Sequence, residues 1–201
     1  MRSLTRKQMQ EADRTMIEHY GVPGIVLMEH AALSMVPFCE DHALILCGAG
    51  NNGGDGFALA RLLHLKNKHP RVIVYAKHEL RGDAKTNRLA AEKLGVPVTD
   101  GYSDLSALRE LIRTSKQIID CLFGIGLNRP IEEPLKSVIQ TVNEASLPVL
   151  SCDIPSGIDA DTGETLGCAV RADRIITFHA MKKGLEHFDG VRVADIGISG
   201  E

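Results

Sequence analysis

Apolar residues recur along the chain in short blocks that alternate with helical patterns. Six runs rich in Ile, Val and Leu are predicted as strands, at residues 43–47, 72–76, 117–120, 149–152, 174–178 and 191–196. Helical periodicity lies between them at residues 54–67, 83–94, 104–114 and 132–144. Apolar strands that alternate with helices indicate a parallel sheet covered on both faces. The last two strands lack a long helix between them, so an antiparallel edge is one expectation there.

Two helical patterns precede the first strand. Residues 5–20 carry Met9, Ala12 and Met16 at helical spacing, and residues 24–40 are apolar on more than one face. The second helix should therefore be buried on several sides, in the core or against a second subunit. No linker, repeat or low-complexity tract interrupts the pattern. It predicts one doubly wound α/β domain over residues 1–201, with a helical extension at its N-terminus.

Composition and charge argue against several classes of function. The 23 Lys and Arg against 26 Asp and Glu give a net charge of −3, which argues against nucleic acid, and aromatic residues are too few for base stacking. Residues 24–38 contain Glu29 and His30, so we expect no membrane span. Residues 1–8 lack the apolar stretch of a signal peptide. The five cysteines form no C-x-x-C pair, and we expect reduced, buried thiols in a cytoplasmic protein.

Glycine is the residue whose use stands out: the chain has 19 among 201 residues, against about 7% in average proteins. Five follow the first predicted strand, at Gly48, Gly50, Gly53, Gly54 and Gly56. They match the G-x-G-x-x-G pattern, in which glycines let the backbone approach a phosphate at a helix N-terminus. This loop is the first candidate binding element.

Polar residues in and after this loop argue against an ordinary dinucleotide site. A carboxylate at Asp55 would repel pyrophosphate, and we expect it to cap the following helix instead. After the second strand, Lys77 and His78 stand where dehydrogenases usually have the acidic residue that binds ribose. A NAD-dependent dehydrogenase and a structural turn without a ligand stay open as alternatives at this point.

Polar residues that could bind a ligand also follow two later predicted strands. Ligands of open parallel sheets bind beyond the carboxyl ends of the strands, so these positions are candidate site residues. Asp120 ends one run, and a Gly-x-Gly turn with an arginine follows at 124–129, which can bind a second phosphate. Asp153 and Ser156 follow the next run. The oxygens of Asn52, Asp120 and Ser156 could hold a hard cation, and their single formal charge favours a monovalent ion.

Other catalytic patterns are missing from the sequence. The histidines form no H-E-x-x-H motif, Ser156 does not lie in a nucleophile elbow, and there is no Walker lysine. The acidic residues at 153–161 lack the terminal Glu of a calcium-binding EF-hand loop. Lys182 and Lys183 follow the strand at 174–178, where they could meet a phosphate, but a solvated pair is the favoured interpretation.

Three motifs taken together resemble the NAD(P)HX epimerase family, which is the N-terminal domain of YjeF-type proteins. They are Gly50-Asn51-Asn52-Gly53-Gly54-Asp55-Gly56, Asp120-x-x-Phe123-Gly124-x-Gly126 and Asp153-Ile154-Pro155-Ser156-Gly157-x-Asp159. Weaker likenesses lie at Ala12-Asp13, Leu27-Met28-Glu29-x-Ala31 and Thr177-Phe178. The resemblance covers nearly the whole chain in the correct order. Ala32 departs from it, since the family usually has Gly there, and this concerns packing rather than chemistry.

The resemblance implies a Rossmann-like three-layer α/β/α sandwich, a homodimer, and one potassium ion per subunit held by Asn52, Asp120 and Ser156. The residues that would contact the hydrated nicotinamide nucleotide are Asn51, Asn52, Gly53, Gly54, Asp55, Gly124, Ile125, Gly126, Leu127, Asn128, Arg129, Pro130 and Asp153. The implied activity is an isomerase of cofactor repair, which interconverts the R and S forms of NADHX and NADPHX. A dehydratase domain that is often fused to this module is absent, which implies a stand-alone epimerase with a separate NAD(P)HX dehydratase as its functional partner.

The chemistry of this substrate suggests roles for the carboxylates. NADHX carries a hydroxyl on the carbon next to the ring nitrogen, so nitrogen can expel it with help from an acid, and water can return to either face with help from a base. One carboxyl group that carries a proton suffices. Asp153 is the predicted catalytic group and Asp120 the second candidate, since a neighbouring cation would lower its pKa and weaken it as an acid. The alternatives are a non-catalytic nucleotide-binding or scaffold module of the same fold, and a dehydrogenase.

Overall fold

A seven-stranded parallel sheet forms the centre of the protein. The computed structural model describes residues 3–101 and 105–198. The strands are β1 (Ala43–Gly48), β2 (Arg71–Tyr75), β3 (Val98–Asp100), β4 (Gln117–Cys121), β5 (Val149–Cys152), β6 (Arg174–Phe178) and β7 (Val191–Ala194). Their order is β3-β2-β1-β4-β5-β6-β7, and every strand pair is parallel in the described part of the chain. The chain changes winding direction between β1 and β4, the place where such sheets bind ligands.

Helices cover both faces of this sheet. They are α1 (Arg6–Arg14), α2 (Gly24–Met35), α3 (Asn51–Leu65), α4 (Gly82–Lys93), α5 (Leu105–Arg113) and α6 (Leu135–Glu144). Ile45 of β1 belongs to the core cluster that includes Phe57 of α3, whereas Leu44 and Leu46 belong to the cluster that includes Val138 of α6. β1 is buried along its whole length because both of its faces are covered, which explains its uninterrupted apolar run. The predicted Rossmann-like α/β sandwich is confirmed.

Two features of the sheet differ from the sequence-based expectation. The antiparallel edge is wrong: β7 runs parallel to β6, with Ile175 opposite Val191. The segment between them contains only a short 3₁₀ turn at Lys183–Leu185, and it still crosses back far enough for parallel pairing. β3 was not predicted, because it is a short edge strand with two exposed residues and no apolar run. Residue 104, where one predicted helix begins, lies outside the described residues.

The N-terminal extension begins with a capped helix. Thr5 Oγ1 accepts a hydrogen bond from Gln8 N–H at 3.2 Å, and Gln8 Oε1 accepts from Thr5 N–H at 2.9 Å. These reciprocal bonds form a capping box, which fixes the start of α1. The helix then continues as a π-helix over Thr15–His19.

Hydrogen bonds join this extension to the segment that follows β6. Leu4 N–H donates to the Met181 carbonyl at 2.8 Å, and Lys183 N–H donates to the Leu4 carbonyl at 3.0 Å, so Leu4 pairs with Lys182 as in a parallel bridge. The guanidinium of Arg6 forms an ion pair with Asp159 at 2.6 Å. Helix α1 is therefore held beside the carboxyl ends of the central strands.

The structure shows the state of the cysteine thiols and whether any described helix could cross a membrane. All five cysteines are free; four are buried and Cys168 is partly buried. Over residues 3–101 and 105–198, no helix combines the length and the apolar character that crossing a membrane requires.

Candidate active site

A cavity of about 630 Å³ lies at the carboxyl ends of the central strands. One wall is the loop after β4, residues 122–129; a second is the start of α3; and a third is α1. Asp153, which follows β5, and Lys182, which comes after β6, complete it. The cavity thus lies at the topological switch point, where the sheet order predicts a ligand.

Helix α3 starts inside the glycine-rich segment, earlier than the sequence predicted. Gly50 is its N-cap and Asn51 its first residue. A Cβ on Gly53 would lie 2.0 Å from the Gly48 carbonyl oxygen, so only glycine allows the first turn of the helix to approach β1 this closely. Asp55 lies in the second turn, and no side chain caps the helix. The prediction that Asp55 is a helix cap is therefore wrong, and its carboxylate lines the cavity instead.

Asp120 is a fully buried carboxylate at the end of β4. Its oxygens accept hydrogen bonds from Ser156 Oγ at 2.6 Å, Ser156 N–H at 2.8 Å, Ser151 Oγ at 2.9 Å and Leu122 N–H at 3.2 Å. Burial raises the pKa of the Asp120 carboxyl above its usual value, and these hydrogen bonds oppose that shift. No cationic side chain of the described residues pairs with this carboxylate. The group is rigidly held beneath the cavity.

Asn52 is a buried amide that lacks hydrogen-bond partners. Its side chain lines the cavity, and the residue is 8% exposed. Neither Oδ1 nor Nδ2 has a hydrogen-bond partner within the part of the chain that the structure describes. Its Oδ1 lies 3.4 Å from the position of a Cβ on Gly124, and the neighbouring Phe123 N–H donates to Ser156 Oγ at 2.8 Å. The loop after β4 therefore connects Asn52 with the Asp120–Ser156 pair.

Asp153 and Lys182 form a buried ion pair at the cavity wall. Lys182 is 1% exposed, and its Nζ donates to Asp153 Oδ1 at 2.5 Å and to the Phe178 carbonyl at 2.9 Å. Asp153 has φ +66°, a left-handed conformation that Asp and Asn tolerate better than most residues. Its Oδ1 also accepts from Thr177 Oγ1 at 3.3 Å. Oδ2 has no hydrogen-bond partner among the described residues, so it is available to a ligand.

Two further carboxylates share the cavity with this pair. Burial raises the pKa of Asp55 well above its usual value; the negative charges of Asp153 and Asp13 act in the same direction, while Lys182 opposes them. Burial and the charge of Asp153 raise the pKa of Asp13 to about 6, again opposed by Lys182. Three acidic groups thus interact electrostatically with one ammonium, and such clusters of perturbed groups are typical of functional sites.

The family model described as YjeF-related protein N-terminus matches residues 24–184. The chain belongs to this family. The match spans the glycine-rich segment, the loop after β4, Asp153 and Lys182, whereas α1 lies outside it.

Several curated proteins are similar to this chain over almost the whole length of the chain. The NAD(P)H-hydrate epimerase of Weissella koreensis is 37% identical, with 98% of this chain and 91% of that protein covered. The NAD(P)H-hydrate epimerase of Limosilactobacillus fermentum is 36% identical, with 91% and 88% covered. The bifunctional NAD(P)H-hydrate repair enzyme Nnr of Salinibacter ruber is 37% identical, and the alignment covers 97% of this chain but 40% of that protein.

A solved structure supports the fold. The crystal structure of yeast ynu0 superposes with a TM-score of 0.86 at 23% identity, over 97% of this chain and 88% of the yeast chain. At this identity the likeness extends to the fold alone.

The structure places most of the sequence-predicted site residues of this family member at one cavity. The residues that line it are Asn51, Asn52, Asp55, Gly124, Ile125, Gly126, Leu127, Asn128, Arg129 and Asp153. Asp120 and Ser156 lie beneath it, hydrogen-bonded to each other. Gly53, Gly54 and Pro130 are not among its lining residues. The two glycines are buried where α3 approaches other elements, and Pro130 is exposed at the end of its loop.

Two charged residues of the cavity, Asp13 and Lys182, were not predicted from the sequence as site residues. Lys182 was interpreted as one of a solvated pair, but only Lys183 is exposed; Lys182 is buried against Asp153. Asp13 was noted only as part of a weak motif. A signal for it existed, since Asp13 is four residues from both Met9 and Ile17 and so lies on the apolar face of its helix.

Proposed function

We propose that this protein is an NAD(P)HX epimerase, an isomerase that interconverts the R and S forms of hydrated NADH and NADPH. The observation that carries the proposal is the Asp153–Lys182 pair at the wall of a cavity built by the glycine-rich segment and the loop after β4. Relatives that carry the name NAD(P)H-hydrate epimerase align with almost the entire chain. The three polar strand ends predicted from the sequence therefore serve one reaction.

The reaction requires a proton carrier that faces the substrate hydroxyl. When that hydroxyl leaves, its C–O bond breaks, the ring nitrogen's lone pair forms a C=N bond, and a proton converts the departing group to water. Water then adds to the ring carbon and gives up a proton. The Asp153–Lys182 pair exchanges a proton with the ring substituent that faces it, through the free Asp153 Oδ2. Neither redox chemistry nor a covalent nucleophile is needed.

The nucleotide part of the substrate fits the two predicted loops. The first N–H groups of α3 lie at the cavity and favour a negatively charged phosphate. Arg129, at the far end of the loop after β4, offers a charged donor for a second phosphate. The substrate therefore spans from Asn51 to Arg129, with its hydrated ring near Asp153.

A potassium ion fits the residues beneath the cavity. Asn52 has a buried oxygen without a partner, and Asp120 is a buried carboxylate without a cationic neighbour among the described residues. Oxygen donors with one formal charge suit a hard monovalent cation. We propose that Asn52, Asp120 and Ser156 hold potassium. When bound, the ion supplies a positive charge that stabilises the buried Asp120 carboxylate.

The assembly and cellular context are part of the same proposal. Large apolar side chains are exposed on the N-terminal helices, at Ile17, Tyr20, Val26 and Leu33. We propose that this face forms a homodimer, which light scattering would test against a Val26→Asp variant. We further propose a cytoplasmic protein that acts with an NAD(P)HX dehydratase on a separate chain. The Salinibacter ruber relative has the name of a bifunctional repair enzyme and aligns with this chain over 40% of its length.

The decisive experiment follows conversion of purified R-NADHX to the S form by chromatography. Parallel reactions contain potassium chloride or choline chloride at equal ionic strength. We expect strong acceleration by the protein, with a further effect of potassium that disappears in Asn52→Ala. A rate equal to spontaneous epimerisation would overturn the proposed activity. Equal rates and equal thermal stability in the two salts would overturn the potassium site alone.

A further inference from the structure

Epimerisation requires proton transfer on both faces of the substrate ring. The hydroxyl departs from one face, and water must return to the opposite face to complete the inversion. A single fixed carboxyl group at one wall serves only the face toward it. A second group on the other side of the ring would give and take a proton on the face that this carboxyl group does not reach.

Helix α1 contributes a wall of the cavity that is distinct from the strand ends. Met9, Gln10 and Asp13 of α1 line it, and the spacing of four between Met9 and Asp13 places these two on one helix face. Asp13 is half-buried. Within the described part of the chain, its carboxylate has no hydrogen-bond or ion-pair partner. A carboxylate in this position can bind a ligand without first breaking a protein contact.

The surroundings of Asp13 suit a proton carrier. Burial and the neighbouring charge of Asp153 raise its pKa to about 6, while Lys182 opposes the shift. Such a group exists in both protonation states near neutral pH, which general acid–base catalysis requires.

The position of α1 relative to the known pair is fixed by the backbone. Leu4, just before the helix, pairs with Lys182 through hydrogen bonds of 2.8 and 3.0 Å. The ion pair between Arg6 and Asp159 adds a second attachment. Asp13 and Lys182 are thus carried by two segments that are joined to each other, so the backbone fixes the position of one relative to the other.

We propose that Asp13 is a second catalytic residue, the proton carrier for the ring face covered by α1, while the Asp153–Lys182 pair serves the opposite face. This inference rests on the proposed function and deepens it. Asp13 lies outside the part of the chain that the family model matches. The substrate ring would lie between a carboxyl from the N-terminal extension and one from the sheet.

Isotope exchange in water labelled with oxygen-18 tests this arrangement. Each epimer, R or S, is incubated separately with protein, and mass spectrometry measures label in the starting epimer and in its inverted product. Loss and return of water on one face labels the starting epimer, whereas inversion needs both faces. We expect Asp13→Asn to slow inversion by about 10²–10⁴-fold. In this variant, one epimer should still exchange its hydroxyl oxygen with water, and the other should no longer do so.

Matched variants separate catalysis from a structural effect. Asp153→Asn should give the mirror pattern, with exchange lost for the epimer that Asp13→Asn leaves active. Glu11→Gln removes an exposed carboxylate from the same helix and should leave both exchange and inversion unchanged. Asp13→Ser provides a second substitution if the asparagine variant does not fold, and it should give the same pattern.

The outcomes distinguish the two proposals. If the unchanged protein neither inverts nor exchanges either epimer, the epimerase function itself fails. If the unchanged protein inverts, but a folded Asp13 variant inverts at the same rate or loses exchange equally for both epimers, the second proton carrier is overturned and the proposed function stands.

Discussion

Lys182 donates to Asp153 Oδ1 at 2.5 Å from a position that is 1% exposed. The pair is buried at the cavity wall, and the Phe178 carbonyl holds the ammonium from the other side. A lysine is almost never buried this deeply unless it is paired. The two residues are 29 apart in sequence, and they follow the adjacent parallel strands β5 and β6. Both proposals for this cavity depend on that contact.

Asp153→Asn should abolish epimerisation while substrate binding stays measurable. Asparagine has the same shape, tolerates the left-handed conformation at φ +66°, and its Oδ1 can still accept the hydrogen bond from Lys182, so the backbone should be preserved although the charge pair is lost. It cannot carry the proton, and we expect a rate loss of about 10²–10⁴-fold. Chromatography of the NADHX epimers gives the rate, and calorimetry gives the affinity. Near-normal turnover would remove Asp153 from the mechanism.

Lys182→Met should reduce both activity and stability. Methionine fills a similar volume but leaves the Asp153 carboxylate buried without its partner, and breaking a buried pair in this way costs about 3–5 kcal/mol. Urea denaturation measures the free energy of unfolding, and the NADHX assay measures turnover. The neighbouring Lys183 is exposed, so Lys183→Met is the matched control and should change neither. Equal stability of the two variants would contradict the burial argument.

The site residues at the strand ends are visible in the sequence, whereas the burial of Lys182 is not. Glycines, amides and carboxylates after β1, β4 and β5 are local signals, because each follows directly on an apolar run. Lys182 lies four residues after β6 and beside a second lysine, where exposure is the common outcome. In the structure its side chain is buried against Asp153, and its backbone pairs with Leu4, which is 178 residues away in sequence. No local pattern contains these contacts. The burial of Lys182 therefore depends on contacts between distant parts of the chain, which the periodicity of the sequence does not predict.

The sequence predicted the central strands, which are covered by other elements on both faces of the sheet. β1 is buried on both sides and reads as a continuous apolar run, and its neighbours β2 and β4 behave alike. At the sheet edges this signal fades: β3 has two exposed residues and β7 none that is fully buried. The direction of β7 depends on where the preceding segment crosses the sheet, and the sequence pattern does not encode that path.

Asp13→Asn should stabilise the protein at neutral pH and have no effect in acid. The pKa of Asp13 rises from 3.8 in the unfolded chain to about 6, so between these values the folded state binds more protons and its stability falls as pH rises. Above pH 6 the full penalty is present. The shift of about 2 units corresponds to about 3 kcal/mol, which partial solvent exposure reduces to about 1–2 kcal/mol.

Urea denaturation of Asp13→Asn from pH 4 to pH 7 measures this difference. The gain over the unchanged protein should appear between pH 4 and pH 6 and then level off. Glu11→Gln, on the exposed side of the same helix, should show no gain at pH 7. A gain for Asp13→Asn that is constant across this range would mean that charge at this carboxyl does not oppose folding.

Gly53→Ala should unfold or strongly destabilise the protein, although the replacement of glycine by alanine usually stabilises a helix. Alanine normally stabilises a helix by about 1 kcal/mol relative to glycine. Here its Cβ would lie 2.0 Å from the Gly48 carbonyl oxygen and 2.8 Å from the carbonyl carbon, so α3 would have to move away from β1. We expect a loss of more than about 3 kcal/mol.

Gly126→Ala is the control for this clash. A Cβ on Gly126 would meet no atom within 4 Å, so its free energy of unfolding should stay within about 0.5 kcal/mol of the unchanged protein. Circular dichroism during urea denaturation compares the two variants. A stable, folded Gly53→Ala protein would show that the first turn of α3 can shift without loss. Because that turn presents its N–H groups to the cavity, the shift would then appear as weaker substrate binding, with turnover at saturation less affected.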